Sequence, residues 1–218
     1  MTCPPRTYDT RAVKVIRVGT VVSTQDVARS LGVGTVILAE HQTGGRGRLG
    51  RRWEAPPGTA FLASWVMPAH ALAPLAAGVA AATACGERTR LKWPNDLLLE
   101  GRKLGGILVE RVAEKCVVGT GINLQWAPSG AAQLNMDRDR LLARMEPEMT
   151  RWFAAPETEV MAAWRLLSDT LGKLVRVELP GETFEGIAED LASDGSLIVA
   201  GRPVVAGDVI HLRSSDQG

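Results

Sequence analysis

The residues best suited to chemistry are gathered in Gly44–Arg52. These nine positions hold four glycines and four arginines, and the next acid is Glu54. Arginine carries a permanent charge on a planar fork that matches carboxylate and phosphate. Glycine lets backbone N–H groups approach a ligand closely. Alternating the two predicts an anion-binding loop that is mobile when empty and closes over its ligand. Gly45–Gly50 also fits G-x-G-x-x-G, but a dinucleotide-binding turn needs a helix opening at the glycines and an acid about 20 residues on. Here Trp53-Glu-Ala-Pro-Pro-Gly58 follows, which cannot start a helix cleanly, and residues 65–70 contain no acid. The phosphate-loop pattern G-x-x-x-x-G-K-(S/T) is absent too.

A second group lies at Lys92-Trp-Pro-Asn-Asp96 and Lys103-Leu-Gly-Gly-Ile-Leu-Val-Glu110. Two lysines on strands, one beside Gly105-Gly106, flank a Pro-Asn-Asp turn. Adjacent glycines weaken a strand unless something approaches the backbone there, so this unit points to a ligand cleft. Gly119-Thr-Gly-Ile-Asn123 ends a later strand; its asparagine either faces the same cleft or holds a turn. Ser23 and Thr24 are natural helix caps.

The elements that must position these groups read as follows. A strand over 13–18 leads to a helix that opens at Ser23 or Thr24 and stops at Gly32. A buried strand over 35–39 delivers Glu40–Thr43 to the arginine loop. Strands are expected at 60–66, 91–93, 97–99, 103–110 and 116–120, with an alanine-rich helix over 71–85 ended by Gly86. Residues 1–12 read as a loose terminus and 125–136 as an irregular link. Helical periodicity covers 137–153 and 157–171, broken near Pro147 and Pro156, with Trp152 and Trp164 facing the core. From Gly172 the character changes to short strands at 173–179, 182–188, 196–199 and 209–213, separated by turn-formers. That pattern predicts a small SH3-like β-barrel docked on the larger part. The division is thus residues 1–171, a larger domain, and 172–218, a C-terminal barrel.

Composition sets the bounds. The 218 residues carry 25 basic and 24 acidic side chains, so no global field draws the protein to nucleic acid or a membrane. Cys3, Cys85 and Cys116 form no C-x-x-C pair and read as reduced thiols of a cytoplasmic protein. His41, His70 and His211 show no metal-ligand spacing. No uncharged apolar run reaches the roughly 20 residues of a membrane span, and no signal peptide is seen.

Gln42-Thr-Gly-Gly-Arg-Gly-Arg-Leu-Gly-Arg51, Lys92–Asp96, Lys103–Glu110 and Gly119–Asn123 occur in this order. Together they resemble the biotin–protein ligases, or biotin–(acetyl-CoA-carboxylase) ligases, over roughly residues 15–125. The resemblance implies an α/β (α+β) fold: a mixed sheet flanked by helices, related to class II aminoacyl-tRNA synthetases, with a C-terminal SH3-like domain. It implies an enzyme that joins biotin to ATP as biotinyl-5′-AMP, then transfers biotin to a lysine of a biotin carboxyl carrier protein. Biotin and ATP are the substrates and Mg²⁺ accompanies ATP; no residue is assigned as a metal ligand. Lys103, Arg48 and Asp96 take the catalytic roles. Biotin falls to Ser23, Thr24, Gln25 and Gln42, to Gly45, Arg46, Gly47 and Arg48 of the loop, and to Lys103, Gly105 and Gly106. The nucleotide falls to Arg48, Arg51, Trp53, Lys92, Asn95 and Asn123.

Gln25 departs from the family, which usually has Ser-Thr-Asn where this chain has Ser23-Thr-Gln25. Only 22 residues precede Ser23, which predicts a ligase without an operator-binding domain and without a nucleic-acid partner. A homodimer is expected by family analogy. The rival reading within the fold is a lipoate–protein ligase or octanoyltransferase. A rival of another class is a non-enzymatic RNA-binding module in which the arginine loop grips phosphate.

Overall fold

The computed structural model describes residues 13–212; the loose terminus expected over 1–12 lies outside them. Seven strands form one sheet in the order β1-β2-β3-β7-β6-β5-β4. These are β1 (Lys14–Val21), β2 (Thr35–Gln42), β3 (Ala60–Pro68), β4 (Thr89–Lys92), β5 (Asp96–Leu99), β6 (Arg102–Val112) and β7 (Lys115–Asn123). The β1–β2 pair is parallel and every other neighbouring pair antiparallel, so the sheet is mixed, as expected.

Helices cover both faces. On one lie α2 (Ala73–Cys85), α3 (Arg138–Ala154) and α4 (Glu157–Leu167), over a core that includes Trp65, Leu97, Leu104, Ile122 and Trp164. Alanines let α2 pack close to the strands and to both neighbouring helices; nearly every side chain in it is buried. Trp152 and Trp164 are core residues, as predicted. On the other face lies α1 (Thr24–Ala28), packed through Ala28 on Ile37, Val66 and Val117. Odd and even residues of a strand point to opposite faces. Hence Val118 and Ile122 join the large core, while Gly119 and Gly121 face α1 and the arginine loop.

Two sequence expectations are corrected. The first helix ends at Ala28, well before Gly32. The second correction concerns Pro147, which does not break α3. Proline there removes one helical hydrogen bond, but Leu141, Leu142, Met145, Met149, Trp152 and Phe153 are buried on both sides of it and hold the 17-residue helix together.

The C-terminal part is a five-stranded antiparallel sheet, order β11-β10-β9-β8-β12. It comprises β8 (Leu174–Leu179), β9 (Glu182–Leu191), β10 (Leu197–Val199), β11 (Arg202–Val204) and β12 (Asp208–His211). β11 is the strand that turn chemistry alone did not resolve. The sheet docks on the larger one through Trp93, whose indole Nε1 donates to Gly195 O at 3.1 Å and whose backbone N–H donates to Thr170 Oγ1 at 3.0 Å. Asp169 N–H also donates to Leu91 O at 2.7 Å.

Candidate active site

One cavity on the α1 face collects most of the predicted residues. Its inner end is neutral. Ser23 caps α1, accepting the Gln25 N–H at 3.3 Å, which leaves its own O–H free to donate. Gln42, at the end of β2, accepts from Thr24 N–H at 2.7 Å and Thr24 Oγ1 at 3.0 Å. That fixes the Gln42 carbonyl and leaves its amide NH₂ unspent toward the cavity. Ser64 Oγ donates to Thr24 Oγ1 at 2.7 Å, so this hydroxyl is locked in place.

Gln25 is buried against β6 and β7. Its NH₂ donates to Leu108 O at 3.3 Å and Val117 O at 3.5 Å, while Oε1 has no partner. It lies over Gly119, where an added Cβ would come 3.1 Å from Gln25 Cδ. The extra methylene relative to asparagine is what lets one amide reach both strand carbonyls.

Trp53 forms the next section of wall. An added Cβ on Gly121 would lie 2.6 Å from the indole, and one on Gly106 3.6 Å away. Gly121 is therefore the hollow into which the ring settles. The indole Nε1 is buried without a partner and lines the cavity, an unspent donor.

The rim is cationic. Lys103 Nζ pairs with Asp96 Oδ1 at 2.7 Å. Arg48 Nη1 lies 3.4 Å from Asn95 Oδ1 and 3.5 Å from Gly207 O. Arg51 pairs with Asp208. Burial lowers the Arg48 pKa below its ordinary value, and the neighbouring Arg51 charge lowers it further. The guanidinium stays charged, but it is poorly solvated and ready to meet an anion.

The arginine loop is tied down more fully than its composition suggests. Arg46 pairs with Asp26 at 2.8 Å and lies 3.6 Å from Glu110, which also holds Arg29 at 2.8 Å. Trp53 N–H donates to Gly45 O, and a Cβ on Gly45 would collide with Trp53 O, so the loop's two arms close only over glycine. At the tip, Leu49 takes a left-handed conformation (φ 55°) and is exposed.

Ser23, Thr24, Gln25, Gln42, Arg46, Gly47, Arg48, Arg51, Trp53, Asn95, Asp96, Lys103 and Gly106 thus line one cavity. Four predicted residues sit elsewhere. Gly105 faces the apolar core, where a Cβ would meet Gly121 O at 2.7 Å and Leu97 at 3.2 Å; strand alternation allows only one of Gly105 and Gly106 to face the cleft. Asn123 is buried and donates to Ala132 O at 3.0 Å, holding the 125–136 segment rather than reaching the cavity. Gly45 serves loop closure. Lys92 borders an adjoining polar recess with Arg51, Asn95, Asp96 and Asp208. Burial, first of all, lowers the Lys92 pKa; Lys103 adds to this and Asp96 opposes it.

Sequence reasoning quoted Gly119, Gly121 and Glu110 within its motifs without assigning them to the site, and it missed Ser64 and Asp208. The two glycines were legible as a period-two pair on one strand face. Asp208 had no local signal beyond a turn-forming Ala-Gly-Asp.

The chain matches the Biotin/lipoate A/B protein ligase family over residues 13–125 and the Biotin protein ligase C terminal domain over residues 170–212. It is 38% identical over 213 residues to the biotin–(acetyl-CoA-carboxylase) ligase of Mycobacterium tuberculosis, covering 83% of this chain and 80% of that protein. To the enzyme of the same name from Paracoccus denitrificans it is 32% identical over 208 residues, covering 78% and 86%. Among solved structures, the biotin protein ligase from Aquifex aeolicus in complex with biotin and ATP superimposes with a TM-score of 0.79 at 24% identity. That likeness, over 92% of this chain and 99% of the other, establishes the shared fold. Among the described residues, no helix is long and apolar enough to cross a membrane.

Proposed function

Because the chain belongs to the biotin–protein ligases of the Biotin/lipoate A/B protein ligase family, we infer that its cleft adenylates biotin and passes it to a carrier lysine. The carrier is the biotin carboxyl carrier domain of acetyl-CoA carboxylase or a related biotin-dependent enzyme. One observation carries this reading: a neutral, hydrogen-bonding pocket end lies directly beside a cationic rim in the same cavity.

A bicyclic urea needs donors for its oxygen and acceptors for its N–H groups, and no charge. The unspent Ser23 O–H and Gln42 NH₂ supply donors, and Gln25 Oε1 supplies an acceptor. An anionic carboxylate and a triphosphate repel, and their reaction needs preorganised positive charge. Arg48, Arg51 and Lys103 provide it at the rim. In the first step a biotin carboxylate oxygen attacks the α-phosphorus and the bond to the diphosphate breaks. In the second the carrier lysine amine attacks the carbonyl carbon of the mixed anhydride and AMP leaves. Asp96, at the mouth beside Lys103, is placed to orient that amine or take its proton.

Among the described residues no cluster of three or more carboxylate, histidine or cysteine side chains could cage a metal. The residues do suit Mg²⁺ carried on phosphates, which needs only one or two protein carboxylates. Asp96 is the carboxylate that would hold it, and the ion would supply charge neutralisation of the leaving diphosphate. We divide the chain accordingly into a catalytic part, 1–171, and a C-terminal part, 172–218.

The rival substrate within the family is lipoate. Its dithiolane ring can use none of the pocket's unspent polar groups, and leaving them unpaired is unfavourable. Diphosphate release from MgATP, measured with biotin and with lipoic acid, separates the two. Turnover with biotin alone supports the proposal; turnover with lipoic acid alone refutes it.

A further inference from the structure

We propose that Asp208, together with the Gly207 carbonyl, is a positioning residue for nucleotide activation: the C-terminal sheet aims Arg48 and Arg51 of the arginine loop at the phosphates. The proposal rests on the ligase reading above and gives the C-terminal sheet a part in it.

The contact is specific. Two consecutive residues at the start of β12 hold two different arginines. Asp208 pairs with Arg51, and both terminal nitrogens of Arg48 lie 3.5 Å from Gly207 O. Asp208 lines both the main cavity and the adjoining recess, alongside Arg51, Asn95 and Asp96. Among the described residues it is the one C-terminal side chain that borders the main cavity.

The platform beneath the contact is firm. Asp208 pairs with Glu178 across β12 and β8, and the next residue, Val209, is buried beside Val177. The turn before it is built for close approach. Gly207 has φ 149°, and an added Cβ would fall 2.7 Å from Leu179 and 3.0 Å from Glu178 O. The sheet itself is fixed to the catalytic strands through Trp93, Leu91 and Thr170.

Stability does not explain the pair. Arg51 is 57% and Asp208 31% exposed in their side chains, and ion pairs so exposed contribute little to folding. Orientation does explain it. A long arginine loses much rotamer freedom when a ligand orders it, and holding it beforehand lowers that cost at binding. Arginine has five N–H donors, so Asp208 can hold Arg51 while other donors remain for a phosphate. The far arm of the loop is anchored separately, by Asp26 and Glu110 on Arg46. Loosening the C-terminal contact should therefore affect the nucleotide and spare the neutral pocket end.

The test measures diphosphate release while ATP is varied at saturating biotin, and again while biotin is varied. Wild type, Asp208→Asn, Asp208→Glu, Arg51→Gln and the Arg51→Gln/Asp208→Asn double variant are compared. Asp208→Asn is expected to raise KM for ATP by about fivefold or more and to leave KM for biotin unchanged. Asp208→Glu, which keeps the charge, should recover most of the loss, and it keeps the test decisive if asparagine weakens β12. In the Arg51→Gln background Asp208→Asn should add little, since the partner is already gone. An unchanged or lowered KM for ATP, or a full effect persisting without Arg51, overturns the proposal. A wild type that releases no diphosphate with biotin instead refutes the ligase reading itself.

Discussion

Lys103 Nζ lies 2.7 Å from Asp96 Oδ1, an ion pair that spans the β5–β6 hairpin at the mouth of the cavity. Asp96 sits opposite Gly106 and Leu98 opposite Lys103, with a register shift between Leu97 and Leu98. The irregularity brings the two side chains together on the cleft side. On the proposed reading, Lys103 is held where the carboxylate and the α-phosphate meet. Lys103→Ala is expected to lower biotin-dependent diphosphate release by ~10²-fold or more, in line with other lost transition-state donors. Folding should survive, because this partly exposed lysine is not part of the core. Wild-type turnover by the variant would remove Lys103 from the reaction.

On the proposed reading, Arg48 bears on the second step. Its guanidinium reaches Asn95 and Gly207 from the middle of the loop, where it can clamp the adenylate and shield it from water. Arg48→Gly should still make adenylate, because Lys103 and Arg51 remain, but should hold it less well. The expected outcome is biotin on lysines of bystander albumin incubated with the variant, MgATP and biotin, and none with wild type. Adenylate formation without bystander labelling would assign the clamp to another residue.

Gly121→Ala tests the wall of the cavity. The new methyl group would lie 2.6–2.9 Å from three atoms of the Trp53 indole, and a rigid ring cannot yield by a small rotation. Trp53 must leave its place and disturb the arm that runs back to Gly45. Overpacking of this kind costs about 1–3 kcal/mol. We predict weaker binding of biotin and ATP, by roughly tenfold or more, with a shift in tryptophan emission. Calorimetry showing wild-type affinities would mean that the indole does not line the bound site.

His211, on β12, gives a pH dependence of stability. Its pKa is lowered to about 4, first by burial and then by the Lys92 and Lys173 charges, with Asp169 opposing. The folded state thus favours the neutral ring more than the unfolded chain does. The stability this provides is complete above the unfolded value near 6.5 and is lost as pH falls toward about 4. Melting temperature should fall over that window, and His211→Gln should flatten the fall. A variant with the same slope as wild type would place the acid sensitivity elsewhere.

Much of this was legible in the chain. β-branched runs and glycine–proline punctuation marked most strands of both sheets, because local propensity and tertiary role agree there. Ser23, Thr24 and Gln42 were legible through the family resemblance, and the structure locks Thr24 to Gln42 while Ser23 caps the helix beside them. What failed did so for nonlocal reasons. Gly105 and Gly106 were taken together, although one strand must turn them to opposite faces. Pro147 reads as a break until the buried residues on both sides of it are known. Composition made the arginine loop look loose, but its tethers Asp26, Glu110 and Asp208 lie far away in sequence. Asp208 is more than 150 positions from Arg51, and only the docking of the C-terminal sheet brings them together.

The central claim is that this cleft makes biotinyl-5′-AMP and delivers biotin to one lysine of a carrier domain. Incubation of the full chain with MgATP, biotin and a biotin carboxyl carrier domain, followed by intact-mass measurement of the carrier, tests it most directly. The account predicts a gain of one biotinyl group on a single carrier lysine, dependent on ATP and nearly abolished in Lys103→Ala. A carrier whose mass stays unchanged while the protein remains folded, or one modified by lipoic acid and not by biotin, would contradict it.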